Sequence, residues 1–157
     1  MLNKCKFAVM LEEKFNLEII RLYQEANNFG ELLDMELELQ DQGRICYKMP
    51  IKQKHLATPR AAHGGAVSAL VDASLGVAAL SKVSIEKKVV STVEFKVNFM
   101  RPAILGDVLS AYAEVVSAGK RLIVAESKIY NQNKELVVFA SGTFNAYPAE
   151  KAFNRPF

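Results

Sequence analysis

Apolar side chains recur in steps of three and four at Leu11, Phe15, Ile19, Leu22 and Ala26, so residues 11–29 are expected to form an amphipathic helix. Asn27, Asn28 and Gly30 punctuate it, and Phe29, Leu32 and Leu33 predict a short helical turn. The period then drops to two. Met35, Leu37 and Leu39 alternate with Asp34, Glu36, Glu38 and Gln40; Asp41-Gln42-Gly43 supplies a turn; Ile45, Tyr47 and Met49 resume the alternation. That pattern predicts a β-hairpin.

After a loop over 50–62 containing Pro59, the residues from Gly64 to about Lys82 are small and aliphatic and too many for one strand. They predict a helix packed on every side. Four strands follow, at 92–99, 108–117, 122–130 and 136–144, separated by Pro102, Gly106-Asp107, Gly119-Lys120 and Asn131 to Lys134. In the first of them Val93, Phe95, Val97 and Phe99 are expected on one face, and Thr92, Glu94, Lys96 and Asn98 on the other. Residues after Tyr147 are expected to form a loosely held end. A helix this apolar needs cover over most of its circumference. The element order therefore predicts an α+β fold in which one antiparallel sheet curls around the long helix, with a second subunit covering remaining sheet surface.

Composition narrows the function classes. Half of the 157 residues are hydrophobic and 24% are charged, which suits one globular domain and excludes a disordered chain. The net charge of +3 is dispersed, without an aromatic-interleaved basic face, so nucleic acid is not an expected partner. Cys5 and Cys46 make neither a disulfide framework nor a zinc-ligand pattern, and no metal site is expected. The start, MLNKCKFAVMLEEKF, lacks a signal-peptide pattern, so the expected location is the cytoplasm. Residues 61–80 approach the length of a membrane span, but Asp72 at mid-segment would cost roughly 3 kcal/mol or more there. A buried helix without membrane insertion is expected.

Asp72 is the only charged side chain between Gly64 and Ser81. Its neighbours one turn away are Ser68, Ala69, Leu75 and Gly76, none of them cationic. A carboxylate in that setting must be paired, protonated or open to a cleft, so Asp72 is expected to face another element or a pocket. Nine positions before it stands His63, followed by Gly64 and Gly65. Glycines opening a helix present bare N–H groups at the positive end of its dipole, which suits a developing oxyanion. An ordinary structural histidine and a tight turn at the helix start would produce the same residues.

The motifs HGGAVSALVDASLG, TVEFKVNFMRPAILGD, the Gly119-Lys120 pair and the closing ASGTF resemble the hotdog-fold acyl-CoA thioesterases of the phenylacetate-pathway (PaaI-like) type, over roughly residues 27–146. The resemblance implies a helical extension over 1–26, a hotdog domain over 27–147 and a tail over 148–157. It implies a homodimer or homotetramer (a dimer of dimers) with sites at the subunit interface, and hydrolysis of an acyl-CoA without metal or organic cofactor, coenzyme A being part of the substrate. By the same resemblance Asp72 is the general base or nucleophile, the Gly64 amide polarises the thioester carbonyl, and His63 braces the loop. Thr92 matches a Ser or Thr that reaches the site from the opposite subunit. Gly65, the stretch with Phe99, Arg101 and Pro102, and the hairpin with Gly119, Lys120 and Arg121 match coenzyme A contacts. The sequence departs at Ala57, where the family commonly has Asn or Gln; His55 and Arg60 are the nearby candidates to replace it. A non-catalytic acyl-CoA-binding sensor or scaffold is the alternative function. The hydratase branch of the fold is disfavoured, because its Asp-then-His spacing is absent.

Overall fold

The computed structural model describes residues 15–153. Helices α1 (Leu17–Ala26) and α2 (Asn28–Leu32) lead into strands β1 (Glu36–Asp41) and β2 (Arg44–Pro50), then the long helix α3 (Gly64–Val83). Strands β3 (Lys88–Phe99), β4 (Val108–Ala118), β5 (Leu122–Tyr130) and β6 (Leu136–Pro148) follow, and the short helix α4 (Glu150–Phe153) comes last. The six strands form one antiparallel sheet in the order β1-β2-β4-β5-β6-β3. It wraps α3, which touches every strand from β2 to β6. This is the hotdog architecture.

The composition of α3 explains why it sits inside. Leu70, Val71, Leu75 and Ala78 are completely buried against Ile45, Leu109, Ile123 and Phe144 of the sheet. Its serines are satisfied locally: Ser74 Oγ donates to the Val71 carbonyl (2.9 Å), and Ser81 Oγ donates to Ala78 (2.8 Å) while accepting from the Gly43 N–H (2.9 Å). Gly142 of β6 permits close packing, since a Cβ there would lie 3.0 Å from the Glu94 carbonyl oxygen and 3.2 Å from Leu75 Cδ1. Among the described residues α3 is the one helix long and apolar enough to cross a membrane, and most of it is buried as the core of this fold.

Three sequence expectations are corrected. The helix expected over 11–29 begins at Leu17, because Asn16 has extended backbone and its side chain accepts the Ile19 N–H (3.3 Å); Leu11 lies outside the described residues. The punctuation expected at Asn27 and Asn28 is observed: the Asn27 side chain accepts the Gly30 N–H (3.0 Å) and starts the short helix α2. Beyond Tyr147 the chain stays in β6 to Pro148 and forms α4, with the Ala149 N–H bonded to the Lys87 carbonyl (3.0 Å), so the end is docked as far as α4.

The third correction concerns β3 and bears on the site. Its pairing with β6 shifts between Thr92 and Glu94, leaving Val93 as an extra residue. Directly paired residues share a face. Phe95, Val97 and Phe99 pair with Gly142, Ala140 and Val138, as alternation predicts, but Thr92 pairs with the buried Phe144. The bulge therefore turns Thr92 toward α3 and leaves Val93 exposed. β3 is also the edge of the sheet, and Val93, Phe99 and Met100 stay more than half exposed along it.

Candidate active site

The loop before α3 is held almost entirely by main chain. The His63 N–H donates to the His55 carbonyl (2.7 Å), Ala62 to Ala103 (2.8 Å), and Leu105 to Arg60 (2.8 Å). Thr58 Oγ1 accepts from the Arg60 and Ala61 N–H groups, at 3.4 and 3.0 Å. Behind the loop His55 is buried, with Nδ1 accepting the Lys52 N–H (3.0 Å). Burial pulls its imidazole below the ordinary histidine range and Lys54 adds to this, against a smaller opposing pull from Asp34. Thr58 and the His55 carbonyl thus hold the loop without a polar side chain at Ala57. His55 and Arg60, the replacements the sequence offers, meet the loop through their main-chain carbonyls, the His55 imidazole being turned to the Lys52 N–H, while Thr58 gave no signal beyond being a turn-forming residue.

At the start of α3, His63 is the N-cap. Its Nδ1 accepts the Gly65 N–H (2.8 Å), and its carbonyl accepts from Ala66 and Val67 (3.0 and 3.3 Å). Three of the first four N–H groups of the helix are taken. Among the described residues the fourth, on Gly64, has no acceptor, and Gly64 is exposed beside Phe99. The result is a single free donor at a helix N-terminus, beside the His63 cap.

Asp72 lies on α3 eight residues beyond Gly64, ~12 Å along the axis. It is half-buried, and no ion pair reaches it among the described residues. Among the described residues its side-chain hydrogen-bond partner is Thr92, whose Oγ1 donates to Oδ1 at 2.9 Å. Both residues open onto a cavity of about 330 Å³. Gly76 and Leu80 of α3, Val89 and Val90 of β3 and Phe144 of β6 form its inner walls, and α1 closes the outer side with Ile19, Leu22, Tyr23 and Ala26. The expectation that Asp72 faces a pocket is met.

A second cavity, of about 350 Å³, lies at the N-terminal end of α3 and brings together Gly64, Phe99, Arg101 and Pro102. Arg101 Nη1 donates to the Leu136 carbonyl (3.0 Å), and its Nε stands 3.9 Å from Glu135, which aims the guanidinium along this rim. Gly65 is spent on the His63 cap. Gly119 and Lys120 are elsewhere, in a cleft of about 300 Å³ with Lys82, Glu86 and Lys88 at the other end of α3; Arg121 is exposed next to them in the turn. Within one chain the expected substrate-binding residues thus fall into two groups separated by roughly the ~30 Å length of α3. Among the described residues no cluster of three His, Cys, Asp or Glu side chains is placed to hold a metal ion. Tyr23 has no counterpart in the sequence expectations, since helical periodicity marks its face as inward without showing what it faces.

Comparison with known proteins agrees with this architecture. The family described as Thioesterase superfamily matches residues 61–138. A protein of Saccharolobus solfataricus named as a candidate esterase, SSO1253, is 32% identical over 149 residues, covering 94% of this chain and 93% of its own length. The Escherichia coli PaaI protein from the phenylacetic acid degradation operon superposes with a TM-score of 0.76 at 23% identity, over 82% of this chain and 90% of that one. A hypothetical thioesterase protein of Streptococcus pneumoniae, solved with coenzyme A, has a TM-score of 0.67 at 24% identity, over 73% and 86% of the two chains. A near full-length relative and the matched family make this chain a member of the thioesterase superfamily, and the superposition on PaaI shows the shared hotdog fold.

Proposed function

We propose that the protein hydrolyses an acyl-CoA thioester to a free acid and coenzyme A, with Asp72 activating water and the Gly64 amide holding the oxyanion. The observation that carries this is the state of Asp72: a carboxylate on an apolar core helix, free of any ion pair among the described residues, facing a cavity with a hydroxyl donor on one oxygen. Thr92 orients the carboxylate through Oδ1, which leaves Oδ2 to take a proton from water. The water oxygen attacks the thioester carbon, and the charge that develops on the carbonyl oxygen is met by the Gly64 N–H and the α3 dipole. Collapse breaks the C–S bond, and the proton held by Asp72 passes to the departing sulfur. The residues needed for this sequence are all protein groups, and no metal or organic cofactor enters the proposal.

Gly64 and Asp72 of one chain are too far apart to act on one carbonyl, so the reaction centre takes Gly64 from one protomer and Asp72 with Thr92 from another. The exposed apolar edge of β3 is the surface that allows this. Pairing two β3 edges antiparallel about a two-fold axis sets the Phe99 end of one beside the Lys88 end of the other. That arrangement also joins the two groups of substrate residues: Arg101, Phe99 and Pro102 from one copy, Gly119, Lys120 and Arg121 from its partner. The basic side chains then meet phosphates of the coenzyme. The coenzyme A held by the Streptococcus pneumoniae protein on this fold supports such a ligand.

Ala57 was the feature pointing to a non-catalytic acyl-CoA-binding module. Thr58 Oγ1 and the His55 carbonyl brace the loop, which supports the hydrolase reading, while the missing carboxamide side chain at Ala57 remains the feature that favours the module. The test is a panel of acyl-CoA thioesters followed with a thiol-reactive dye. Release of free thiol above the uncatalysed rate is expected, and tight binding of the panel without any thiol release would overturn the hydrolase in favour of the binding module.

A further inference from the structure

The cavity that begins at Asp72 is not made by the wrapped helix and sheet alone, because its outer wall is α1. Ile19, Leu22, Tyr23 and Ala26 fall at positions i, i+3, i+4 and i+7, one continuous stripe of that helix. Arg21, Gln24 and Glu25 on the other side are exposed, and Ala26 at the end of the stripe is exposed as well, at the rim of the cavity. The direction of α1 is fixed at both ends. The Asn16 N–H donates to Ser84 Oγ (3.2 Å) just past the C-terminus of α3, while Tyr23 lies close enough to Asp72 to feel its charge. Burial, the neighbouring Tyr47 and that carboxylate all push the Tyr23 phenol above the ordinary tyrosine range. α1 therefore runs antiparallel to α3, with Tyr23 and Ala26 toward the carboxylate and Ile19 toward Leu80.

Along α3 the cavity follows Asp72, Gly76 and Leu80, a run of ~12 Å. An apolar cavity of about 150 Å³ accommodates a benzene ring, so the 330 Å³ here suits a ring with a short chain or a medium-length alkyl chain. Among the described residues Asp72 is the only carboxylate lining the cavity, and no described Lys, Arg or His lines it. The Tyr23 hydroxyl is engaged by Asn27 Nδ2 (3.2 Å) and by Tyr47, which fixes the ring as part of the wall.

We infer that α1 is the specificity wall of the acyl site, with Leu22, Tyr23 and Ala26 admitting an uncharged apolar acyl group of medium size and refusing one that ends in a carboxylate. The inference rests on the thioesterase reading for the identity of the occupant. A terminal carboxylate would be held near Asp72 with no cation among the described lining residues to compensate either charge. A bulky side chain at Ala26 would take the space beside the thioester, and removing Leu22 would lengthen the chamber sideways.

The test measures kcat/KM of the full chain for butyryl-, octanoyl-, dodecanoyl- and succinyl-CoA, with dissociation constants for the same series by calorimetry. Ala26→Phe should lower the octanoyl-to-butyryl ratio about tenfold or more, and Leu22→Ala should raise the dodecanoyl-to-octanoyl ratio by a similar factor. Succinyl-CoA should fall at least about tenfold below butyryl-CoA in the unaltered protein. Gln24→Phe puts the same bulk on the exposed side of α1 and should leave every ratio alone. Ratios unmoved by Ala26→Phe and Leu22→Ala, or moved equally by Gln24→Phe, would overturn the wall while leaving hydrolysis intact. Binding ratios that shift as stated without any turnover would instead sustain the wall and overturn the hydrolase.

Discussion

Gly64→Pro isolates the oxyanion donor, because the structure lets proline remove one hydrogen and little else. Gly64 is the first residue of α3, the position where proline is best tolerated. Its N–H has no acceptor among the described residues, so no folded-state hydrogen bond is lost. Proline also demands extended backbone from the residue before it. His63 already has φ −65° and ψ 133°. The cap from His63 Nδ1 to Gly65 survives, since it uses the next N–H. Stability should therefore stay within about 1 kcal/mol of the parent, and the restricted unfolded chain favours a small gain. Catalysis should not survive. Loss of one oxyanion donor costs about 10²–10³ in kcat, or about 2.7–4 kcal/mol. Gly64→Ala is the control, because it keeps the N–H and places a Cβ 3.6 Å from Phe99 Cζ, an ordinary contact. Thiol release and thermal melting of both variants give the answer. A Gly64→Pro protein that melts with the parent and turns over within about threefold of Gly64→Ala would refute the role given to this amide.

Co-expression of Gly64→Pro and Asp72→Asn chains should restore about a quarter of parental turnover, because half the dimers are mixed and each carries one intact composite site; no recovery in verified mixed dimers would place the whole site in one chain. His63→Ala should cost about 1 kcal/mol by freeing the Gly65 N–H, visible as a lower melting temperature, with His63→Asn recovering most of it. For His55 the folded state favours the neutral imidazole, so the unfolded chain binds the extra proton. Its contribution is intact above about pH 6.5 and is lost as pH falls below that value, so denaturation midpoints should drop from pH 7 to pH 5 and His55→Gln should flatten the slope. Asp34, drawn down to about 2 by Lys54 and Lys52, acts in a separate window below pH 3.8 and does not confuse the reading.

What could be read from sequence follows from which forces are local. The all-apolar stretch with one acid predicts both a wrapped helix and a carboxylate facing space, because burial of small aliphatic residues and the cost of a buried charge need no tertiary information. The hairpin at Asp41-Gln42-Gly43 is equally local, and Gly43 takes the positive φ its turn requires. The face of Thr92 could not be read by alternation. One extra residue at Val93 inverts the parity of the strand, and a bulge is decided by the partner strand rather than by its own side chains. The resemblance placed Thr92 in the site, yet only the pairing with Phe144 shows that it joins Asp72 within its own chain. The role of α1 was hidden for a related reason. Its periodicity marks an inward stripe, but the antiparallel docking set by Asn16 and Ser84 joins residues 68 positions apart.

Asp72→Asn gives the most direct test of the account. The substitution keeps the shape of the side chain and an oxygen for Thr92 to donate to, while removing the group that accepts the water proton. Single-turnover hydrolysis should slow by about 10²–10⁴, with acyl-CoA affinity within a fewfold of the parent. Undiminished hydrolysis by the asparagine variant would contradict the assignment of Asp72 as the base.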